Sequence, residues 1–397
     1  MPSQPLEGIR ILDLSQVLAG PYCTMFLGDL GAEVIKVERP GQGDDTRAWG
    51  PPFLAGESAY FLSVNRNKKS ITINLKEPRG REIIKGLARK SDVLVHNFRP
   101  GIMERMDLDY ETLKKENPGI IYCSISGFGP DGPYRERAGY DILIQGMGGI
   151  MSLTGEPEGE PMKVGVAIVD VTAGLYCLAG IMSALIYRAR TGLGQKVDVA
   201  LLDSMVAWLV NAGQNYLVSG QVPERWGNAH PNIVPYQAFK AKDAYFIVAI
   251  GNDAQFRKLC EIIGRPELAE DPRYITNADR VKNRAELINT LAVVFETRES
   301  EEWIEASLEA GLPCGPINTL DRVFKDPQVL HREMVVEVNH PSVGKVRLAG
   351  NPIKLSESPA MIKAHPPLLG EHTEEVLASL LGLKGEEIEG LRREGVI

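Results

Sequence analysis

Asp170 is the only charged side chain in the 24-residue stretch from Val164 to Tyr187. A carboxylate isolated among apolar neighbours can do two things. It can cap a helix, because its oxygen accepts hydrogen bonds from the free N–H groups of a first turn. It can also attack a substrate as a nucleophile, with little water to stabilise its ground state. Spacing alone leaves both open. Arg39, Arg99, Arg105 and Arg137 each fall at or just beyond an expected strand end, where together they could hold a polyanionic ligand. Taken singly, each is an ordinary surface arginine. The cysteines, Cys23, Cys123, Cys177, Cys260 and Cys314, are odd in number and have no CxxC spacing. They suggest packing rather than a disulfide framework, a nucleophile or a zinc site, and no metal site is expected. His96 ends an expected strand and reads as a core residue.

The elements that position Asp170 follow from hydropathy. Val164 to Val169 reads as a buried extended segment, and Val171 to Tyr187 as a helix apolar nearly all round, rich in Ala and Gly and buried on every side. A membrane span is the competing reading. The uncharged part after Asp170 is 17 residues, at the short limit for spanning, and no second segment of this kind exists.

With 397 residues, 44% of them hydrophobic and 24% charged, the chain has the composition of a soluble protein of two domains. A net charge of −8 argues against nucleic acid as a partner. The N-terminus lacks the basic and apolar regions of a signal peptide. With the scattered cysteines this leads us to expect a cytoplasmic protein, or a mitochondrial matrix protein in a eukaryote.

Strands are expected at 9–14, 33–38, 71–75, 92–96, 120–125 and 196–200. Helices are expected from Pro21 to about Gly31, near 79–90 and 109–116, and over 201–218. Strand, helix and strand within about 30 residues is a βαβ unit, so an α/β domain with a parallel sheet is expected. Ligands bind beyond the carboxyl ends of such strands. Gly20, Gly28 and Gly31 do not make GxGxxG, so a nicotinamide cofactor is not expected. The large domain is expected over 1–218, followed by a linker at 219–235. A small domain of short strands and charged helices fills 236–330, with a helix at 254–264, one at 279–295 and one at 299–310. A return segment covers 331–397, with a hairpin of 333–338 and 345–348 and a terminal helix from Thr373.

One family resemblance covers almost the whole length. It is carried by LAGPYCTMFLGDLGAEVIKVERPGQGDDTRAWG (18–50), NRNKKSITINLK (65–76), Asn97-Phe98, SGFGPDGPY (126–134), AGYD (138–141), the Asp170 segment, TGLGQKVDVALLDS (191–204), GLPCGPIN (311–318) and PPLLGEHT (366–373). In these the chain resembles the family III CoA-transferases, and through GDDTRAWGPPF, SVNRNKKSI, RWGNAHPNIVPYQAF and DPQVLH it resembles, within them, the branch that uses succinyl-CoA and glutarate. The resemblance implies a Rossmann-like large domain with a parallel sheet, a smaller α+β domain, a chain that returns to the large domain, and an interlocked homodimer. It implies that Asp170 is the nucleophile. CoA contacts are implied at Val17, Leu18, Arg39, Ile73, Asn74, Leu75, Lys76, Asn97, Phe98, Arg99, Arg105, Arg137, Ala138, Gly139 and Tyr140. The formyl-CoA branch carries a glutamine at Leu18 and a glycine run where this chain has RWGNAHPN. Those departures argue against oxalate and formyl-CoA and for a longer acyl group.

The implied reaction moves CoA from an acyl-CoA, succinyl-CoA or similar, to a free carboxylic acid, through a covalent aspartyl intermediate. No cofactor is permanently bound; acyl-CoA is the substrate. A carboxylate of ordinary pKa is ionised at neutral pH and needs no general base. Arg47, Arg225 and His230 are candidates to hold the second carboxylate of a dicarboxylate. Two alternatives remain. Acyl-CoA racemases of the same fold use a histidine where this chain has Tyr140, a poor proton shuttle at neutral pH. A CoA-binding protein without catalysis would bind CoA and exchange nothing.

Overall fold

The computed structural model describes residues 4–397, which divide into two compact units. The first takes in residues up to Ile150, Val164–Leu217 and Pro327–Ile397. Its centre is a six-stranded sheet. In chain order the sheet and its main helices are β1 (Arg10–Asp13), α1 (Ala19–Asp29), β2 (Glu33–Glu38), β3 (Lys68–Thr72), α2 (Pro78–Arg89), β4 (Val93–His96), β5 (Ile121–Ser126), α3 (Asp141–Met147), α4 (Ile168–Thr191) and β6 (Lys196–Ala200). Two shorter helices follow, α5 (Leu201–Ala207) and α6 (Val210–Ser219). All strand pairs are parallel and the spatial order is β3-β2-β1-β4-β5-β6. The order reverses between β1 and β4, so the chain leaves these two strand ends in opposite directions and opens a crevice there.

Side chains alternate across each strand and build one core on each face. Leu12, Ile35, Ile71 and Leu94 face α2 and, from the end of the chain, Val376, Leu377, Ile388 and Leu391. Ile11, Val34, Val93 and Val95 face Cys23 and Leu27 of α1 and Ala173, Cys177 and Ile181 of α4. Helices α1 and α4 touch backbone to side. A Cβ on Gly174 would stand 2.7 Å from the Ala19 carbonyl oxygen, so only glycine lets α4 come this close to the start of α1.

The second unit comprises Met151–Lys163 and Val218–Asp326. An antiparallel sheet of Tyr236–Lys240, Tyr245–Ala249 and Cys314–Pro316 packs with helices Asp253–Ile262, Arg284–Phe295 and Ser300–Glu309 around Phe246, Leu291, Phe295 and Trp303.

Several expectations need correction. Val164 to Val169 is not a buried strand. Residues 164–167 are irregular, and α4 already begins at Ile168. Helix α4 is not buried on every side: Leu175, Tyr176, Ile186 and Tyr187 are exposed on the single chain. The helix expected over 201–218 is broken between α5 and α6, where Val210 takes a φ of 40°. The third strand lies three residues earlier than expected, because Lys68 is fully buried and paired with Asp13 at 3.2 Å. A lysine neutralised in this way does not show in a hydropathy pattern. The single helix expected over 279–295 is interrupted at Asn283, which ends Asn277–Lys282 and precedes Arg284–Phe295. Residues 219–235, expected as a linker, belong to the second unit, as do residues 151–163.

Candidate active site

The crevice at the β1/β4 ends holds two adjoining cavities. The first, about 240 Å³, is walled by Val17, Leu18 and Ala19 after β1, and by Asn97, Phe98 and Arg99 after β4. Ile125 to Gly127, Arg137 to Tyr140, Leu201 and Asp170 complete it. The second, about 820 Å³, is lined by Arg39, Ile73, Asn74, Leu75, Lys76, Arg81, Phe98, Ile102, Arg105 and Met106. Gln16 and Phe98 border both. The structure therefore brings together every residue named from the sequence for CoA contact, in two groups, with Asp170 in the smaller one.

Asp170 is the third residue of α4 and not its cap. The capping position is Ala167, which offers no side-chain acceptor. Asp141, at the start of α3, does this work from a distance: its Oδ1 accepts the Val169 N–H at 2.8 Å and lies 3.4 Å from the Asp170 N. Its Oδ2 accepts from Gln145 Nε2 at 2.6 Å, and Gln145 Oε1 accepts the Val164 N–H at 2.8 Å. The Asp170 carboxylate is thus spared from capping and makes no hydrogen bond or ion pair among the described residues. Burial, and after it the neighbouring charge of Asp141, push its pKa up to about 7. The ordinary ionisation expected from the sequence is corrected accordingly: near neutrality the acid and the carboxylate coexist.

Tyr140 and Arg137 reach the same cavity because two loops cross at van der Waals distance. A Cβ on Gly139 would lie 2.4 Å from the Gly127 Cα, and one on Gly127 would lie 2.7 Å from the Gly139 Cα. Both positions must be glycine for the backbones to pass. Arg137 lies over the Tyr134 ring at 3.8 Å. Asn97 spends its amide on the chain itself. Its Oδ1 accepts the Gln16 N–H at 2.9 Å, and its Nδ2 donates to the Gln16 carbonyl at 2.7 Å. In the larger cavity Arg39 is paired with Asp45, whereas Arg105 has no acidic partner among the described residues.

The three residues named for a second carboxylate fall in different units, and each has partners of its own. Arg47 in the first unit donates to both oxygens of Glu38 at 2.7 Å and to the Pro367 carbonyl at 3.0 Å, and stacks on Phe61. Arg225 and His230 belong to the second unit. Arg225 donates to the carbonyls of Glu156, Pro157 and Gly159, and His230 Nδ1 accepts the Asn232 N–H at 3.1 Å.

A cavity with a lone carboxylate, joined to a larger one with several cations, is what acyl transfer from a long anionic carrier requires. The comparisons agree with that chemistry. The profile of CoA-transferase family III matches residues 6–373. The chain belongs to CoA-transferase family III. Relatives of this transferase include the succinyl-CoA:glutarate CoA-transferase of Mus musculus, 50% identical over 394 residues, 99% of this chain and 90% of the relative. The succinate–glutarate CoA-transferase of Agrobacterium fabrum is 45% identical over 388 residues, covering 96% and 97% of the two chains. Among solved structures, a CAIB/BAIF family protein from Brucella suis superposes with a TM-score of 0.86 at 48% identity, covering 96% of this chain and 100% of that one.

Sequence reasoning missed Asp141 as the group that frees Asp170, although AGYD had been singled out. The signal was an aspartate at the start of one helix with no cap residue before the next. It also missed Gln16, because a glutamine in a turn carries no chemical signature of its own.

Proposed function

We propose that this transferase moves CoA from succinyl-CoA to glutarate or a dicarboxylate of similar length, through covalent intermediates on Asp170. The observation that carries the reading is the lone, unpaired carboxylate of Asp170 in a cavity that adjoins the larger basic one. Arg39, Lys76 and Arg105 would meet the phosphates, and the pantetheine arm would pass Phe98 toward Asp170. The Asp170 oxygen attacks the thioester carbonyl and CoA leaves as thiolate, giving a mixed anhydride. The thiolate attacks the aspartyl carbonyl and releases the donor acid, leaving an aspartyl-CoA thioester. The acceptor carboxylate then displaces the thiolate, and the thiolate returns to the acceptor's acyl carbon, freeing Asp170. The apolar walls of Leu18, Ile125 and Leu201 limit water, which would hydrolyse the anhydride. Tyr140 in the place of a racemase histidine supports transfer over racemisation.

The substrate assignment draws on the names of the mouse and Agrobacterium relatives and on Leu18. Its test is an acceptor series with succinyl-CoA as donor. Glutarate is expected to exceed a monocarboxylate of equal length by at least roughly tenfold in kcat/KM, the worth of one bound carboxylate, and to exceed oxalate, whose two carboxylates lie too close together to span the same site. Equal rates for all acids would remove the dicarboxylate from the proposal.

The working unit in this proposal is an interlocked homodimer. Helix α6 has no buried residue, and Val210, Tyr216 and Leu217 are exposed on it, as are Leu175, Tyr176, Ile186 and Tyr187 on α4. Apolar surface of this extent on one chain is the mark of a partner. Light scattering on the purified enzyme is expected to read twice the chain mass. Leu217→Glu is expected to shift it toward monomer with loss of transfer; a monomeric, fully active wild type would contradict the proposal.

A further inference from the structure

In the turn from β1 into α1, Gln16 to Leu18 form one wall of the Asp170 cavity, and the conformation of this turn is held from outside. Val17 has a φ of 70°. For a β-branched residue this left-handed region is strained, and the chain would leave it if nothing held it there. Asp44 takes the Val17 N–H on its two oxygens at 3.2 and 3.3 Å, and also the Thr46 N–H at 3.0 Å and hydroxyl at 2.7 Å. Lys36 Nζ donates to Asp44 at 2.8 Å and to the Ser15 carbonyl at 3.0 Å. On the other side Asn97 holds Gln16 by its two amide bonds. Three successive residues are thus tied to the ends of β2 and β4.

The Lys36–Asp44 pair is fully withdrawn from water, with both side chains at 0% exposure, and neither residue lines the Asp170 cavity. Burying an ion pair gains little stability over an apolar pair of the same size, so stability does not account for this one. Geometry does. Leu18 and Ala19, which follow the strained residue, border the cavity, and the first N–H groups of α1 have no partner within the helix.

We propose that Lys36 and Asp44 are positioning residues for acyl transfer: they hold Val17 in its left-handed conformation and so set Leu18 and the start of α1 against Asp170. The proposal rests on Asp170 being the reacting group. The two residues belong to a charge-balanced buried cluster that also contains Asp13 with Lys68 at 3.2 Å and Glu38 with Arg47 at 2.7 Å. Removing Lys36 and Asp44 together leaves those pairs matched.

The test is the double variant Lys36→Met/Asp44→Leu of the full-length enzyme, which removes the acceptors of the Val17 N–H, with and without Val17→Gly. Free CoA is expected to bind the double variant within threefold of wild type by calorimetry, because its basic cavity is untouched, while kcat falls at least 30-fold. Glycine adopts a φ of 70° without strain. In the Val17→Gly background the same double substitution is therefore expected to cost no more than fivefold in kcat. A kcat within threefold of wild type, or an equal loss in both backgrounds, overturns the proposal. If the double variant does not fold, Lys36→Met/Asp44→Ala, which likewise removes both the acceptors and the charge pair, carries the same comparison. Asp170→Ala run alongside separates the two readings. Transfer that survives it ends the nucleophile assignment, whereas Asp170-dependent transfer indifferent to Lys36→Met/Asp44→Leu ends this proposal alone.

Discussion

Asp170→Asn is expected to lower CoA transfer by on the order of 10⁴-fold or more and, at the same time, to raise the melting temperature above neutral pH. The first effect follows from the proposed role of the Asp170 carboxylate as the group that attacks the thioester. The second follows from linkage. The folded state raises the pKa of Asp170 to about 7 from an ordinary 3.8. A carboxyl that holds its proton more tightly when folded adds stability that is complete below its unfolded pKa and is lost as pH rises through about 7. At pH 8 the wild type carries the cost of a poorly solvated charge, and asparagine does not. Asp170 is only partly buried, so the gain is discounted for solvent screening to about 1–2 kcal/mol. Thermal unfolding at pH 5.5 and pH 8 checks it: the variant's advantage should widen with pH. A variant that keeps transfer, or that melts lower than wild type at pH 8, would contradict the assignment. A group that trades stability for reactivity in this way is what an active site is expected to contain.

The pH dependence of the wild-type rate is the second large effect. In the proposed mechanism only the ionised form of Asp170 attacks, so kcat/KM for the acyl-CoA should rise about tenfold per pH unit, level off above a midpoint near 7, and stand roughly 100-fold below its plateau at pH 5. Asp141 is the second cause of the raised pKa. Asp141→Asn removes that charge while its oxygen can still accept the Val169 N–H, so the midpoint should move to lower pH with the plateau largely kept. A midpoint near 4 in the wild type would place the titrating nucleophile in water rather than in this cavity. An unchanged midpoint in Asp141→Asn would leave burial as the whole cause.

The two effects share one origin. Helix α4 begins without a side-chain cap of its own, and the need is met by Asp141 from another helix. Had Asp170 been the cap, its carboxylate would be hydrogen-bonded, of low pKa and a weak nucleophile. Asp141 takes the capping role, which removes one of the two readings that Asp170 allowed and leaves its carboxylate free for the proposed one.

Much of this was already written in local sequence. The alternation of Ile11 and Leu12, or of Val93, Leu94 and Val95, specifies strands with two buried faces, and their spacing with helices between them specifies a parallel sheet. The order of motifs from 18 to 373 marked the family and, with it, the residues of both cavities. Tertiary structure decided what depends on partners far along the chain. It turned Lys68 and Lys36 into buried strand residues by supplying Asp13 and Asp44, it engaged Arg47 with Glu38, and it drew Arg225 into the second unit. A side chain's type states what it can do, but its charge, exposure and free valences are set by the groups that folding places around it, and those lie tens to hundreds of residues away.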